Sequence, residues 1–162
     1  MAGDERLSEN FPIIFDEKLN LPLWKDLREL KLRYNLPISS VRKFFEGLSD
    51  GVLYGTHCKK CGEKFFPPKP RCSTCGSRDV EWVEVSNVGR LLSYTVVNVK
   101  PESYQHHPDY VVGIAEADNG FKVLAWVKCE NLDKLRIGMQ VKIEIGKHER
   151  ENTLLYYIVP ET

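Results

Sequence analysis

Four of the five cysteines fall into two matched pairs, and their spacing is the strongest chemical signal in the chain. Cys58-Lys59-Lys60-Cys61-Gly62 is followed by Cys72-Ser73-Thr74-Cys75-Gly76, with ten residues between Cys61 and Cys72. A two-residue gap lets both sulfurs of a pair converge on one ion at the tetrahedral Zn–S distance of about 2.3 Å. Glycine after each second cysteine has no Cβ, so Gly62 and Gly76 can take positive φ and let backbone N–H groups point at the sulfurs. Four sulfurs fill the coordination of such an ion, leaving no position for water or substrate. The pattern therefore predicts a structural Zn2+ on Cys58, Cys61, Cys72 and Cys75 rather than a hydrolytic one. A redox dithiol needs one pair at a helix start after a strand, which two matched pairs disfavour. Iron on the same four thiolates is the open alternative; zinc is preferred because nothing else in the chain suggests electron transfer. Cys129, between Lys128 and Glu130, reads as a strand-end thiol rather than a fifth ligand.

A tetrathiolate site carries a charge of about minus two. Lys59, Lys60, Lys64, Lys69, Arg71 and Arg78 surround it, against Glu63 and Asp79. They neutralise the site or meet an anionic ligand. Between the pairs, Phe65-Phe66-Pro67-Pro68 reads as aromatics closing a small ribbon core and prolines stiffening its hairpin.

The elements that must position this ribbon differ on its two sides. Upstream, Leu23, Leu27, Leu30 and Tyr34 recur near helical period from Asn20 onward, with Asn20 as a candidate cap and Asn35-Leu36-Pro37 as a stop. A second helix follows, with Ser39 or Ser40 as its cap, Val41, Phe44, Phe45 and Leu48 on one face, and Gly51 just beyond its end. Neither helix has a core of its own in this stretch, so each apolar stripe packs on the rest of the chain or on a partner; the Leu- and Trp-rich first helix is the better gripping element. Downstream of Val80 the pattern turns to period two. Leu91–Val99, Tyr110–Ala117, Phe121–Lys128, Val141–Ile145 and Leu154–Val159 read as five strands, with a tight turn at Asp118-Asn119-Gly120 and a bridging turn or short helix over Asn131–Met139. Five strands with that bridge suit a small closed barrel of the OB type, although another five-stranded topology fits the same string. The expectation is a mainly β chain with N-terminal helices, divided into a helical extension (1–52), a zinc ribbon (53–79) and an OB barrel (80–162).

Lys plus Arg and Asp plus Glu both total 23 over 162 residues, so no global positive charge drives phosphate-backbone binding. No run approaches the roughly 20 apolar residues of a membrane span, and the acidic start with Asp4, Glu5, Glu9, Asp16 and Glu17 is not a secretory signal. A cytoplasmic protein with no membrane association is expected.

The string from Phe44 through Pro160 resembles the acyl-CoA-associated family that joins an N-terminal helix, a rubredoxin-like zinc ribbon and a C-terminal OB-fold. The resemblance is carried by Phe45-Glu46-Gly47-Leu48, Gly51-Val52-Leu53-Tyr54-Gly55, both cysteine pairs, Phe66-Pro67-Pro68, Glu81-Trp82, Gly89 through Thr95, Tyr110-Val111-Val112 and Leu135 through Met139. The first forty-odd residues are longer than the family's usual lead-in. The resemblance implies a non-catalytic companion of thiolase-like enzymes: in archaea a scaffold joining acetoacetyl-CoA thiolase to hydroxymethylglutaryl-CoA synthase, in bacteria a companion of thiolase-type or hydratase subunits.

No nucleophile with a base, Gly-rich phosphate loop or nucleotide fingerprint appears in the sequence, so no catalytic residue is assigned. The polar loop from Lys100 to Tyr110 lies where OB-folds often carry ligands, and Lys100, Tyr104 and His107 are candidates for contact with coenzyme A. The other reading is a single-stranded nucleic-acid module, since ribbons and OB barrels both serve RNA and single-stranded DNA. It wants a basic, aromatic barrel face. Residues 80–162 hold nine Lys plus Arg, and Tyr94 and Trp126 are more readily core than stacking platforms. Nucleic acid is therefore disfavoured.

Overall fold

The computed structural model describes residues 12–25, 35–129, 131–148 and 152–161. The chain divides into two compact units, residues 1–36 and 37–162. Among the described residues no helix is long and apolar enough to cross a membrane.

In the first unit, β1 (Ile13–Asp16) and β2 (Leu21–Trp24) form an antiparallel hairpin with Ile13 opposite Trp24 and Asp16 opposite Leu21. The helix expected from Asn20 is thereby corrected over its first turn. Asp16 Oδ1 accepts the backbone N–H groups of Lys18 (2.8 Å) and Leu19 (3.0 Å), and Asn20 sits at φ 53°, closing a tight turn. Pro22 drives the preceding Leu21 to extended geometry, and Ile13–Phe15 offer that strand a partner. Leu27, Leu30 and Tyr34 lie outside the described residues.

The second unit begins with a 3-10 turn (Ser39–Val41) leading into α1 (Arg42–Ser49). Val41 stands at the N-cap with no side-chain cap bond, so the expected serine cap does not form. Phe44, Gly47 and Leu48 are buried, whereas Phe45 is 43% exposed. After Gly51, at φ 79°, the chain enters β3 (Tyr54–Cys58), β4 (Lys64–Phe65) and β5 (Val80–Glu84), a three-stranded sheet in the order β4-β3-β5. Val80–Glu84, where the period-two pattern starts, pairs antiparallel along the whole of β3 from Cys58 opposite Val80 to Tyr54 opposite Glu84.

Five further strands follow: β6 (Val88–Val97), β7 (Tyr110–Ala117), β8 (Lys122–Val127), β9 (Gln140–His148) and β10 (Thr153–Pro160). They close into a barrel in the order β10-β8-β7-β6-β9. Four of the five junctions are antiparallel; β10 against β8 is parallel, with Tyr157 opposite Trp126 and Ile158 opposite Val127. That is OB topology. Between Leu91 and Ser93 the register with β7 slips, an irregularity that bends the strand as closure of a small barrel requires. The Asp118-Asn119-Gly120 turn forms as expected, with Gly120 at φ 82°, and Asn131–Met139 holds a 3-10 turn at Leu132–Lys134.

Alternation decides what fills the barrel. Val141 and Ile143 of β9, Val123 of β8, Leu91 of β6 and Ile158 of β10 are buried inside, each such side chain contributing about 1.5–3 kcal/mol. Phe44 and Leu48 from α1 and Leu53 belong to the same cluster. Phe44, Phe66 and Tyr156 meet edge to face, with centroids 5.0–6.4 Å apart. The two adjacent phenylalanines thus part company. Phe65 joins Cys58 and Cys72 in the ribbon core, as the sequence suggests, but Phe66 packs against the helix and barrel.

The ribbon is tied to the barrel through the β7–β8 turn. Asn119 Nδ2 donates to Glu84 O (2.8 Å), Asn119 Oδ1 accepts from Ser86 N (3.1 Å), and Lys64 Nζ donates to Asn119 O. Asn119→Ala removes the two side-chain bonds and should lower stability by about 1–2 kcal/mol in urea unfolding. No change in midpoint would show that this clamp is idle.

Candidate metal centre

The two cysteine pairs occupy equivalent turns. In one, Gly62 N donates to Cys58 O (2.8 Å) and Cys58 N to Glu63 O (2.8 Å); in the other, Gly76 N donates to Cys72 O (3.1 Å) and Cys72 N to Ser77 O (2.9 Å). Gly62 and Gly76 sit at φ 75° and 71°, the left-handed conformation that the sequence reserves for them. One pair leaves β3 and the other precedes β5, so the β3–β5 pairing brings them together.

The four sulfurs lie within 4.8 Å of one another. Cys58 Sγ is 3.6 Å from Cys75 Sγ, and Cys61 Sγ is 3.5 Å from Cys72 Sγ. A tetrahedron with Zn–S bonds of about 2.3 Å has edges of about 3.8 Å, so this cage has the right size. Cys58 and Cys72 are buried, Cys75 is half-buried and Cys61 is exposed. Cys75 N donates to Cys72 Sγ (3.4 Å).

The acidities point to a cation. At Cys72, burial opposes ionisation, but the backbone N–H groups of Cys75 and Thr74 and the neighbouring thiols outweigh it and bring the pKa down to about 6. At Cys61 the backbone N–H of Glu63 favours the thiolate, yet desolvation and the thiols of Cys72, Cys58 and Cys75 prevail and push it up to about 12. One sulfur ionises at the expense of another. A divalent ion lets all four ionise together, and soft thiolates in a closed tetrahedron select zinc or iron.

Around the cage, His57 Nδ1 meets Glu81 Oε1 at 3.0 Å and Lys59 Nζ lies 3.7 Å from Glu81 Oε2. The His57 hydrogen bond, helped by Lys59, holds the Glu81 carboxyl below the usual carboxylate range. Its small stabilising effect is present above that range and fades as pH falls through the lowered value. Lys69 Nζ donates to Ser73 Oγ (3.1 Å) and Arg71 Nε to Gly76 O (2.8 Å), so two of the basic residues brace the second turn. Cys129 donates to Asn131 O (2.9 Å), at the end of β8.

The loop candidates stand at the far end of β7. Lys100 is 11% exposed and ion-paired with Asp109. His107 is 7% exposed, its ring 5.4 Å from Trp126 and 5.5 Å from His148. Tyr104, half-buried, lies 5.4 Å from His107 and 6.4 Å from Tyr110, whose ring stacks on Trp126 at 4.8 Å. The structure gathers Tyr104 and His107 into one aromatic cluster. The pairing of Lys100 with Asp109 nine residues on was not legible from spacing. Tyr94 donates to Leu135 O (3.3 Å) and packs on the core, as its sequence reading favoured.

A four-cysteine ribbon fused to a closed five-stranded barrel through β5 and a three-residue link defines a zinc-ribbon/OB-fold protein. Residues 45–81 match the ChsH2 rubredoxin-like zinc ribbon domain and residues 82–146 the ChsH2 C-terminal OB-fold domain. The chain belongs to this family, and its ribbon is a zinc ribbon. A DUF35 domain-containing scaffold protein of Methanocaldococcus jannaschii is 31% identical over 91 residues, covering 56% of this chain and 64% of that one. The benzoylsuccinyl-CoA thiolase subunit BbsA of Geobacter metallireducens is 25% identical over 100 residues, covering 62% and 66%. A solved structure of an Ltp2-ChsH2(DUF35) aldolase superposes with a TM-score of 0.63 at 27% identity, covering 79% of this chain and 98% of the other.

Proposed function

We propose that this protein is a non-catalytic scaffold subunit of an acyl-CoA enzyme assembly, linking acetoacetyl-CoA thiolase to hydroxymethylglutaryl-CoA synthase in the cytoplasm. The observation that carries the reading is the ribbon-plus-barrel pattern over residues 45–146, shared with proteins called a scaffold protein and a thiolase subunit. The physical support is the cage. Four sulfurs that saturate their ion shape a surface without turning over a substrate.

In this reading the segments divide the work: residues 1–52 grip a partner, residues 53–79 are held rigid by zinc, and residues 80–162 frame a shared coenzyme A passage. Within the Lys100–Asp109 loop, Tyr104 supplies a ring to the acyl-CoA, while Lys100, paired with Asp109, and the buried His107 hold the loop in shape. Tyr104→Ala should weaken acyl-CoA binding by the assembled complex severalfold, read by titration calorimetry; unchanged affinity removes the loop from the passage.

Affinity capture of the tagged chain from native extract, with mass identification, tests the scaffold itself. Stoichiometric thiolase and synthase are expected. Recovery of RNA with ribosomal or exosome components instead establishes the nucleic-acid module, and acyl-CoA turnover by the purified chain alone overturns the non-catalytic assignment.

A further inference from the structure

The four sulfurs of the cage are not equally sheltered. Cys58 and Cys72 are covered, at 0% and 1% exposure, and Cys75 is half-buried, but Cys61 stands exposed. The two turns that carry them differ in the same sense. Around the second, Lys69 Nζ donates to Ser73 Oγ and Arg71 Nε to Gly76 O, and a Cβ placed on Gly76 would come within 3.4 Å of the Arg71 guanidinium. Around the first, a Cβ on Gly62 would meet nothing within 4 Å. Solvent therefore reaches the cage through the Cys61 turn.

Thiolate, not thiol, is the sulfur species that attacks an electrophile, and coordination to a divalent ion keeps a thiol deprotonated. With the ion bound, Cys61 is an ionised sulfur at the surface. The exposed Lys59 and Lys60 precede it and favour departure of an anion from a reaction there. Cys129 is no rival, because its half-buried sulfur lies outside the cage and donates its proton to Asn131 O (2.9 Å).

A second sulfur is already in place. Cys61 Sγ lies 3.5 Å from Cys72 Sγ in the other turn, so Cys72, which solvent does not reach, meets whatever forms on Cys61. Closing that gap asks for a small movement, and the uncrowded Gly62 turn can supply it.

We infer that Cys61 is an oxidation site at which a hydroperoxide opens the cage, ending in a Cys61–Cys72 disulfide. With hydrogen peroxide, the Cys61 thiolate attacks one peroxide oxygen. The S–O bond forms as the O–O bond breaks, giving Cys61 sulfenic acid and hydroxide. The Cys72 thiolate then attacks the Cys61 sulfur; the S–S bond forms and a second hydroxide leaves. The two sulfurs lose two electrons, the peroxide gains them, and two protons from solvent turn the hydroxides into water. Cys58 and Cys75, one from each turn, are left as the only ligands and release the ion, since a closed structural site needs four. This inference rests on the tetrathiolate cage and is independent of the scaffold reading.

Hydrogen peroxide added to the zinc-loaded full chain decides it, with zinc release followed by a colorimetric chelator and disulfides located by peptide mass analysis. Zinc content before the addition tests the cage separately. Release should track formation of the Cys61–Cys72 disulfide with Cys129 unmodified, and dithiothreitol with added zinc should restore the metal. Cys61→His leaves a set of three cysteines and one histidine that zinc accepts, and it should slow release about tenfold, because the sulfurs that remain are buried or half-buried. Cys75→His, which keeps the exposed sulfur, should release as the parent does. If Cys61→His takes up no zinc, the disulfide map of the parent decides alone. Zinc retained under excess peroxide, a first disulfide that omits Cys61, or equal slowing by the two histidine variants overturns the site.

Discussion

Stripping the metal unfolds the β3-β4-β5 sheet while the barrel survives. The ribbon's own buried cluster consists of Cys58, Phe65 and Cys72 with Cys75 and Val80 beside it, so three of its five members are the ligands. Without the ion these sulfurs are a mixture of thiol and thiolate in a confined space. In zinc-finger peptides the apparent binding free energy is about 10–16 kcal/mol at neutral pH, and all of it is folding energy. Nothing in so small a cluster replaces it.

A strong chelator, or Cys72→Ser at a buried ligand, should bring zinc content near zero and erase the cross-strand NMR contacts between Thr56 and Trp82. Those between Val112 and Trp126 in the barrel should remain. Reconstitution should release protons, because in the metal-free cage the neighbouring thiols ionise at one another's expense, with the Cys61 pKa pushed up while that of Cys72 is brought down, and the ion makes all four ionise. Metal affinity therefore falls as pH falls, since protons compete for the same sulfurs. A β3–β5 sheet that persists in metal-free protein would falsify the structural role of the ion.

Phe121→Ala should be the most damaging single substitution outside the cage. Phe121 is fully buried immediately after the Asp118-Asn119-Gly120 turn, and a Cβ on Gly55 of β3 would overlap its ring. It therefore fills the seam between ribbon and barrel, where no neighbour can collapse without moving a sheet. Truncating a buried phenylalanine costs about 3–5 kcal/mol, a large share of the ~5–15 kcal/mol that holds a domain folded. A melting temperature lower by roughly 10–20 °C is expected from calorimetry. Loosening the seam also loosens β3, so zinc should pass to a chelator faster than from the parent. Leu124→Ala, at an exposed position on β8, should shift stability by less than about 0.5 kcal/mol. Equal effects at the two positions would place Phe121 outside the core.

The amino-acid order alone determined the local chemistry. Cys-x-x-Cys-Gly written twice specifies a cage, because two-residue gaps and an unbranched glycine are short-range constraints that no distant contact alters. Period two from Leu91 onward likewise marked out the barrel strands and the turn between β7 and β8, since alternation is set by the pleat itself. Tertiary structure decided which strand pairs with which. Val80–Glu84 carries the same alternation as a barrel strand yet lies on β3, and Leu21–Trp24 became half of a hairpin because Ile13–Asp16 was available to pair with it. It decided side-chain fates too: Phe65 and Phe66, adjacent in the chain, face different cores, and Lys100 is tied to Asp109. Hydrogen bonding along a strand edge and burial of a ring depend on partners far away in sequence, and spacing carries no record of them until the chain has closed.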